Sequence, residues 1–306
     1  MLALSLCAAR AQVGDRAAPG PISAEIVMDQ SQYLANEEIS VALRIVNHSG
    51  QTIRFGSNDW LSFMVESYDG MIVQKFGDPP SDHNFDLETS QVATQRLLIS
   101  PCFDLSRIGR YKITATVRLY DWEAEVTSPA LNFDVISGVK MMEIPFGVPP
   151  SSPDSHEPPE IRKYILQKAS YTKHLRLYLK LTDQYESQVY RVMPIGGLTS
   201  FSTPQTRLDR KNNLHLLYEE SARTYSYTVI NPDGLLQARQ QYGYVNEPPR
   251  LKVDDQGFVY VSGAVRQRTD KDYPPTPPSL RTNLLSVTNL SDTGTNSVKP
   301  STKPKK

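Results

Sequence analysis

Between Ala24 and Val135 apolar and polar residues alternate with a period of two, and that pattern confines the chain to pleated strands with one buried face. Ile39, Val41, Leu43 and Ile45 point one way, with Ser40, Ala42 and Arg44 between them. Tyr111, Ile113, Ala115, Val117 and Leu119 repeat the pattern, as do Leu131, Phe133 and Val135. Turn chemistry separates the runs. Asn47-His48-Ser49-Gly50 ends one, and Asp69-Gly70 divides Leu61, Phe63 and Val65 from Ile72 and Val73. An Asp-Gly step supplies the positive φ angles of a tight hairpin. About seven short strands over 22–138, with no helical periodicity, predict an antiparallel β-sandwich.

The run from Ile39 to Ile53, a strand closed by Asn47, a turn and a second strand, resembles the opening of bacterial Ig-like modules. The intracellular proteinase inhibitor domain family is one such group. Ile108-Gly109-Arg110-Tyr111-Lys112-Ile113 is similar to the G-x-Y-x-I lead into a late strand of those sandwiches. The resemblance implies an Ig-like fold in which the Tyr111 hydroxyl bonds back across the corner. For function it implies little, because such modules serve many roles. Protease inhibition through this domain is one implied alternative, although no inhibitory loop carries over residue by residue.

Residues 139–160 predict a stiff linker, with prolines at 145, 149, 150, 153, 158 and 159. A second domain, 161–268, contains an imperfect repeat. Tyr190-x-Val192 with Gly197-Leu198 matches Tyr227-x-Val229 with Gly234-Leu235. Arg207-Leu208 before Leu214–Leu217 matches Arg250-Leu251 before Asp254-Asp255-Gln256-Gly257 and Phe258–Val261, and Leu175–Leu179 is a weaker third copy. This strand–turn–strand unit resembles β-propeller blades, whose repeats run about 40–50 residues. Three copies are too few for a closed ring. Either the sheets form an open or incomplete array, or a second copy completes them as a homo-oligomer through the C-terminal domain. Residues 269–306, rich in Pro, Ser, Thr, Asn and Lys, predict a disordered tail. The fold class expected is thus all-β: an antiparallel Ig-like sandwich followed by a second antiparallel domain of propeller-like repeats.

Residues 1–11 read MLALSLCAARA, an apolar stretch ending in Ala9-Arg10-Ala11. That small-x-small triplet predicts a cleaved signal peptide, with 12–21 disordered and the protein exported to the periplasm or beyond. The positive flank usual in such leaders is missing, as a start assigned too far downstream would leave it. Cleavage removes Cys7 and leaves Cys102 alone, so the mature chain forms no internal disulfide and no cysteine zinc site. Beyond the leader no apolar run is long enough for a transmembrane segment. Lys and Arg number 33 and Asp and Glu also 33, a balance that argues against a nucleic-acid partner.

Local catalytic signatures are sparse. Of the histidines, His48 falls in a turn, His156 in the linker, His174 before a strand and His215 within one. Asp82-His83-Asn84-Phe85-Asp86 gathers ligand-type side chains, but its loop setting favours solvated polar residues. His156-Glu157-Pro158-Pro159-Glu160 lacks the second histidine and the helix of a zinc protease, and Asp254–Gly257 lacks the closing glutamate of a calcium loop. The sequence therefore nominates no catalytic, cofactor-binding or metal residue. Sixteen tyrosines suit both strand packing and sugar-facing platforms. Tyr190 and Tyr227 recur at matching repeat positions and read as packing residues, while Tyr242, Tyr244 and Tyr260 stay open. The expected function is a non-enzymatic exported interaction module with a protein or glycan partner in the envelope. The enzymatic alternative is a carbohydrate-active hydrolase or lyase using Tyr and Asp/Glu of the C-terminal domain.

Overall fold

The computed structural model describes residues 20–56, 59–81, 84–148, 159–172, 174–244, 247–269, 271–273 and 285–289. The expected leader lies outside the described residues, as do His83, Asp82, His156 and Glu157. The chain is nearly all β, in antiparallel sheets, with two single-turn 3-10 helices at Ser100–Cys102 and Tyr120–Trp122. No helix among the described residues is long and apolar enough to cross a membrane.

Strands β1 (Ile22–Val27), β3 (Ser40–Asn47) and β7 (Gln91–Leu98) form one sheet of the first unit. The other holds β2 (Gln32–Leu34), β10 (Leu131–Ile136), β8 (Gly109–Leu119) and β5 (Leu61–Ser67), with β9 (Ala124–Thr127) on the side of β8. Only β2 and β10 run parallel among the pairs described. The alternating residues face inward as the pattern requires: Leu43 and Ile45 from one sheet meet Ile113, Ala115, Val117 and Phe133 from the other in one core. Short β4 (Ile53–Phe55) and β6 (Phe85–Leu87) close one end, where Phe55 stacks on Phe85 and Trp60 packs against both at steeper angles. Among the described residues, 22–138 thus hold ten strands rather than about seven. The three-residue strands were unreadable, being too short to display a period.

The expected linker is corrected over its first half. Val139–Val148 form strand β11, paired along its length with β12 (Glu160–Tyr171). The sheet continues through β13 (His174–Asp183) to β14 (Val189–Leu198), in the order β11-β12-β13-β14. Pro145 and Pro194 lie on its two edge strands, where a missing N–H costs no ladder bond. Proline therefore marked an edge here, not a boundary.

A further sheet contains β15 (Gln205–Leu208), β16 (Leu214–Ser221), β17 (Thr224–Ile230), β18 (Leu236–Gly243) and β21 (Val265–Gln267). A separate hairpin joins β19 (Arg250–Val253) to β20 (Val259–Ser262). The three repeat copies fall on three successive sheets, at β13–β14, β16–β17 and β19–β20. The first two of these sheets are covered on both faces. Leu177, Leu179 and Leu181 of β13 meet Leu214, Leu216 and Tyr218 of β16, whereas Tyr178 turns to Leu34 of the first unit. Leu217 and Tyr227 turn the other way, under Leu251, Val259 and Val261 of the hairpin.

The expected disordered tail is corrected at two places. Tyr273 donates its backbone N–H to Arg239, and Leu285–Asn289 form strand β22 on the outer edge of β7.

Polar groups also join the two units, around the buried Glu37. Arg176 donates to Gln30 at 2.7 Å, Gln30 donates to Glu37 at 2.9 Å, and the Leu34 N–H donates to Glu37 at 2.7 Å. Burial pushes the Glu37 carboxyl above its ordinary value, against the pull of these partners. The folded chain therefore holds that proton more tightly than the unfolded chain, and Glu37's contribution declines as pH rises from the ordinary glutamate value through the raised one. Glu37→Gln cannot ionise, so its stability relative to the parent should improve with rising pH. Urea midpoints of both proteins at low and neutral pH measure that slope, and a pH-independent difference would refute it.

Candidate functional site

Where β13–β14 meet β16–β18, the chain leaves a polar hollow of about 300 Å³. Arg176, Tyr218, Glu220, Ser226, Arg239 and Lys271 line it. It opens into a wider hollow of about 720 Å³ that shares Gly197, Glu220, Gln241 and Lys271 and adds His174 and Phe201. Local sequence explains the opening. Gly196 sits under the Tyr218 hydroxyl so closely that a Cβ there would collide with it, so glycine lets the two sheets meet.

Glu220 organises the floor. Ser226 Oγ donates to its carboxylate at 2.6 Å and Lys271 Nζ at 3.0 Å. Burial acts to raise this carboxyl, but the Ser226 hydroxyl and the Lys271 ammonium together hold it below the ordinary glutamate range. Arg266 holds Asp272, a second carboxylate of the lining, below its usual range as well. Arg239 donates to the Ile195 carbonyl at 3.0 Å, and its buried Nε has no hydrogen-bond partner among the described residues. Phe201 stands at the rim with its ring fully exposed, at 101 %.

Of the histidines considered from sequence, His174 lines this hollow and is exposed, while His48 is exposed in the turn after Asn47. His215 lies buried on the opposite face of β16. Its Nδ1 shares a 2.6 Å hydrogen bond with the Tyr227 hydroxyl, and its Nε2 one of 3.3 Å with Asp209. Asp209 is itself committed to the β15–β16 turn through the N–H groups of Lys211 and Asn213. Tyr190 bonds Glu160 and lies against Arg162. Tyr242 donates to Gln240, Tyr244 packs edge-on against Tyr225, and Tyr260 is exposed on the hairpin. None of these tyrosines lines the hollow. Asp254 Oδ1 accepts the N–H groups of Gln256 and Phe258, a turn-forming role. Among the described residues no three His, Cys, Asp or Glu side chains gather as a metal site. Cys102 is buried, and burial pushes its thiol up.

Sequence reading missed Glu220, Lys271, Arg239 and Phe201. Their positions obey no spacing rule, since stacking of sheets brings them together, and Lys271 lies in the stretch expected to be tail.

No protein-family model matches the chain, and no curated protein does. Among solved structures, the crystal structure of Spo0M, a sporulation control protein from Bacillus subtilis, is similar at 6% identity and a TM-score of 0.28. The similarity covers 58% of this chain and 90% of that one, and is too slight to carry an argument about fold or function.

Proposed function

We propose that the chain is an exported, non-enzymatic binding module, an Ig-like sandwich joined to propeller-like repeat sheets, that recognises a glycan through the hollow around Glu220. One observation carries the reading: a fully exposed aromatic ring stands over a hollow where acceptors and donors converge. Sugars present apolar C–H faces that stack on such a ring, and hydroxyls that both donate and accept. Glu220 and Asp272 offer acceptors, while Lys271, Gln241 and Arg239 offer donors.

The carboxyls favour binding over cleavage. Glycoside hydrolysis needs one carboxyl kept protonated as an acid, and both acids of this hollow are pulled the other way. Glu37, whose carboxyl burial does raise, lies instead at the junction of the units. The Ig-like part of the proposal draws on two details. Tyr111 donates its hydroxyl to the Arg107 carbonyl at 2.7 Å, and Asn47 ties its turn by donating to Gln51 and Leu87.

A panel of soluble oligosaccharides, read both for binding and for product, tests this. At least one should bind and stay intact, and Phe201→Ala should weaken it about tenfold, or about 1.4 kcal/mol. Steady cleavage of the bound sugar, or no binding across the panel, would overturn the reading.

A further inference from the structure

We propose that the outer edge of β7 is a strand-acceptor site, and that a second copy of this chain can fill it by donating its own residues 285–289. On one side β7 pairs with β3, from Ser40↔Leu98 to Val46↔Val92. On the other it receives β22, from Leu285↔Gln95 to Asn289↔Gln91. The chain thus completes its first sheet with a strand from its far end.

Two features make this pairing exchangeable. The first is the edge itself. Sheet edges are normally blunted by lysine, proline or a bulge, which turn away foreign strands. The paired stretch Gln91-Val92-Ala93-Thr94-Gln95 has no charge, no proline and no shift in register, and Leu285-Ser286-Val287-Thr288-Asn289 is equally unguarded. The backbone groups of either stretch suit any copy of the other.

The second is the tether. The described residue before β22 is Tyr273, whose N–H bonds Arg239 of the second unit at 3.2 Å. Eleven residues, 274–284, four of them proline, join the two attachments. They reach at most about 40 Å when fully extended. A strand given by a second copy would make the same five residue pairs, so exchange changes only where the tether runs. The tethered strand competes with an effective concentration of roughly millimolar order, so exchange should emerge as protein concentration nears that value.

Light scattering on the full chain, from about 5 µM to about 1 mM, reads the outcome. Monomer should give way to a dimer in the upper part of that range. In an antiparallel ladder neighbouring residues alternate in pointing their N–H at the partner, so Val287→Pro with Thr288→Pro removes the bond whichever residue makes it. That double variant should stay monomeric throughout. Amide exchange checks its fold: the amides of β7 that face β22 should lose protection, while those that face β3 and those of β8 keep it. A chain monomeric at the highest concentration, or a dimer that survives the double proline change, would overturn the proposal.

Discussion

Tyr164→Ala should destabilise the protein by about 3–5 kcal/mol, the range for emptying a large aromatic site in a core. Tyr164 is fully buried, its ring stacks on Phe146 at 4.3 Å, and its hydroxyl donates to the Asn212 carbonyl at 3.0 Å. The side chain therefore joins three elements: β12, the edge strand β11, and the turn between β15 and β16. Tyr164→Phe keeps the stack and removes only the hydrogen bond, so it should cost about 0.5–1.5 kcal/mol. Phe146→Ala is the sharper control. Phe146 lies in the stretch that its prolines had marked as linker, and in a loose linker its loss would be close to neutral. With β11 in place it should approach the effect of Tyr164→Ala. Urea unfolding of the three variants orders them, and a silent Phe146→Ala would remove β11 from the core.

Glu220→Ala should reduce glycan affinity by about tenfold to a hundredfold, the equivalent of losing one charged hydrogen bond of about 1.5–3 kcal/mol. The substitution also releases Ser226 and Lys271, which the carboxylate holds in place. Because these two partners keep Glu220 ionised below the ordinary glutamate range, affinity should stay level from about pH 8 to about pH 5. Decline should begin only where the carboxylate takes up its proton. Isothermal titration across that range checks both statements. A loss of affinity near neutral pH would assign the dependence to a group other than Glu220 and contradict this account of its carboxylate.

The first unit was the more legible in sequence because each of its sheets buries one face. β3, β8 and β10 alternate as a half-buried strand must, and the turn residues Asn47 and Asp69-Gly70 sit where the chain reverses. Strands β12, β13 and β16 were harder to align because both their faces are covered, so Tyr178 and Leu179 are buried side by side. Proline misled at 145 because sequence cannot tell an interior strand from an edge. The hollow was invisible for a different reason. Arg176, Glu220, Arg239 and Lys271 come from strands and a terminal turn far apart in the chain, and only the stacking of two sheets makes them neighbours. His215 drew attention by residue type, yet its hydrogen bonds to Tyr227 and Asp209 place it within the packing of the other face.

Amide chemical-shift mapping with a bound oligosaccharide puts the binding surface to the most direct test. The shifts should concentrate on Gly197, Phe201, Glu220, Gln241 and Lys271, and leave the hairpin around Tyr260 and the loop around Tyr68 unmoved. Shifts confined to either of those surfaces, with the hollow silent, would contradict the assignment.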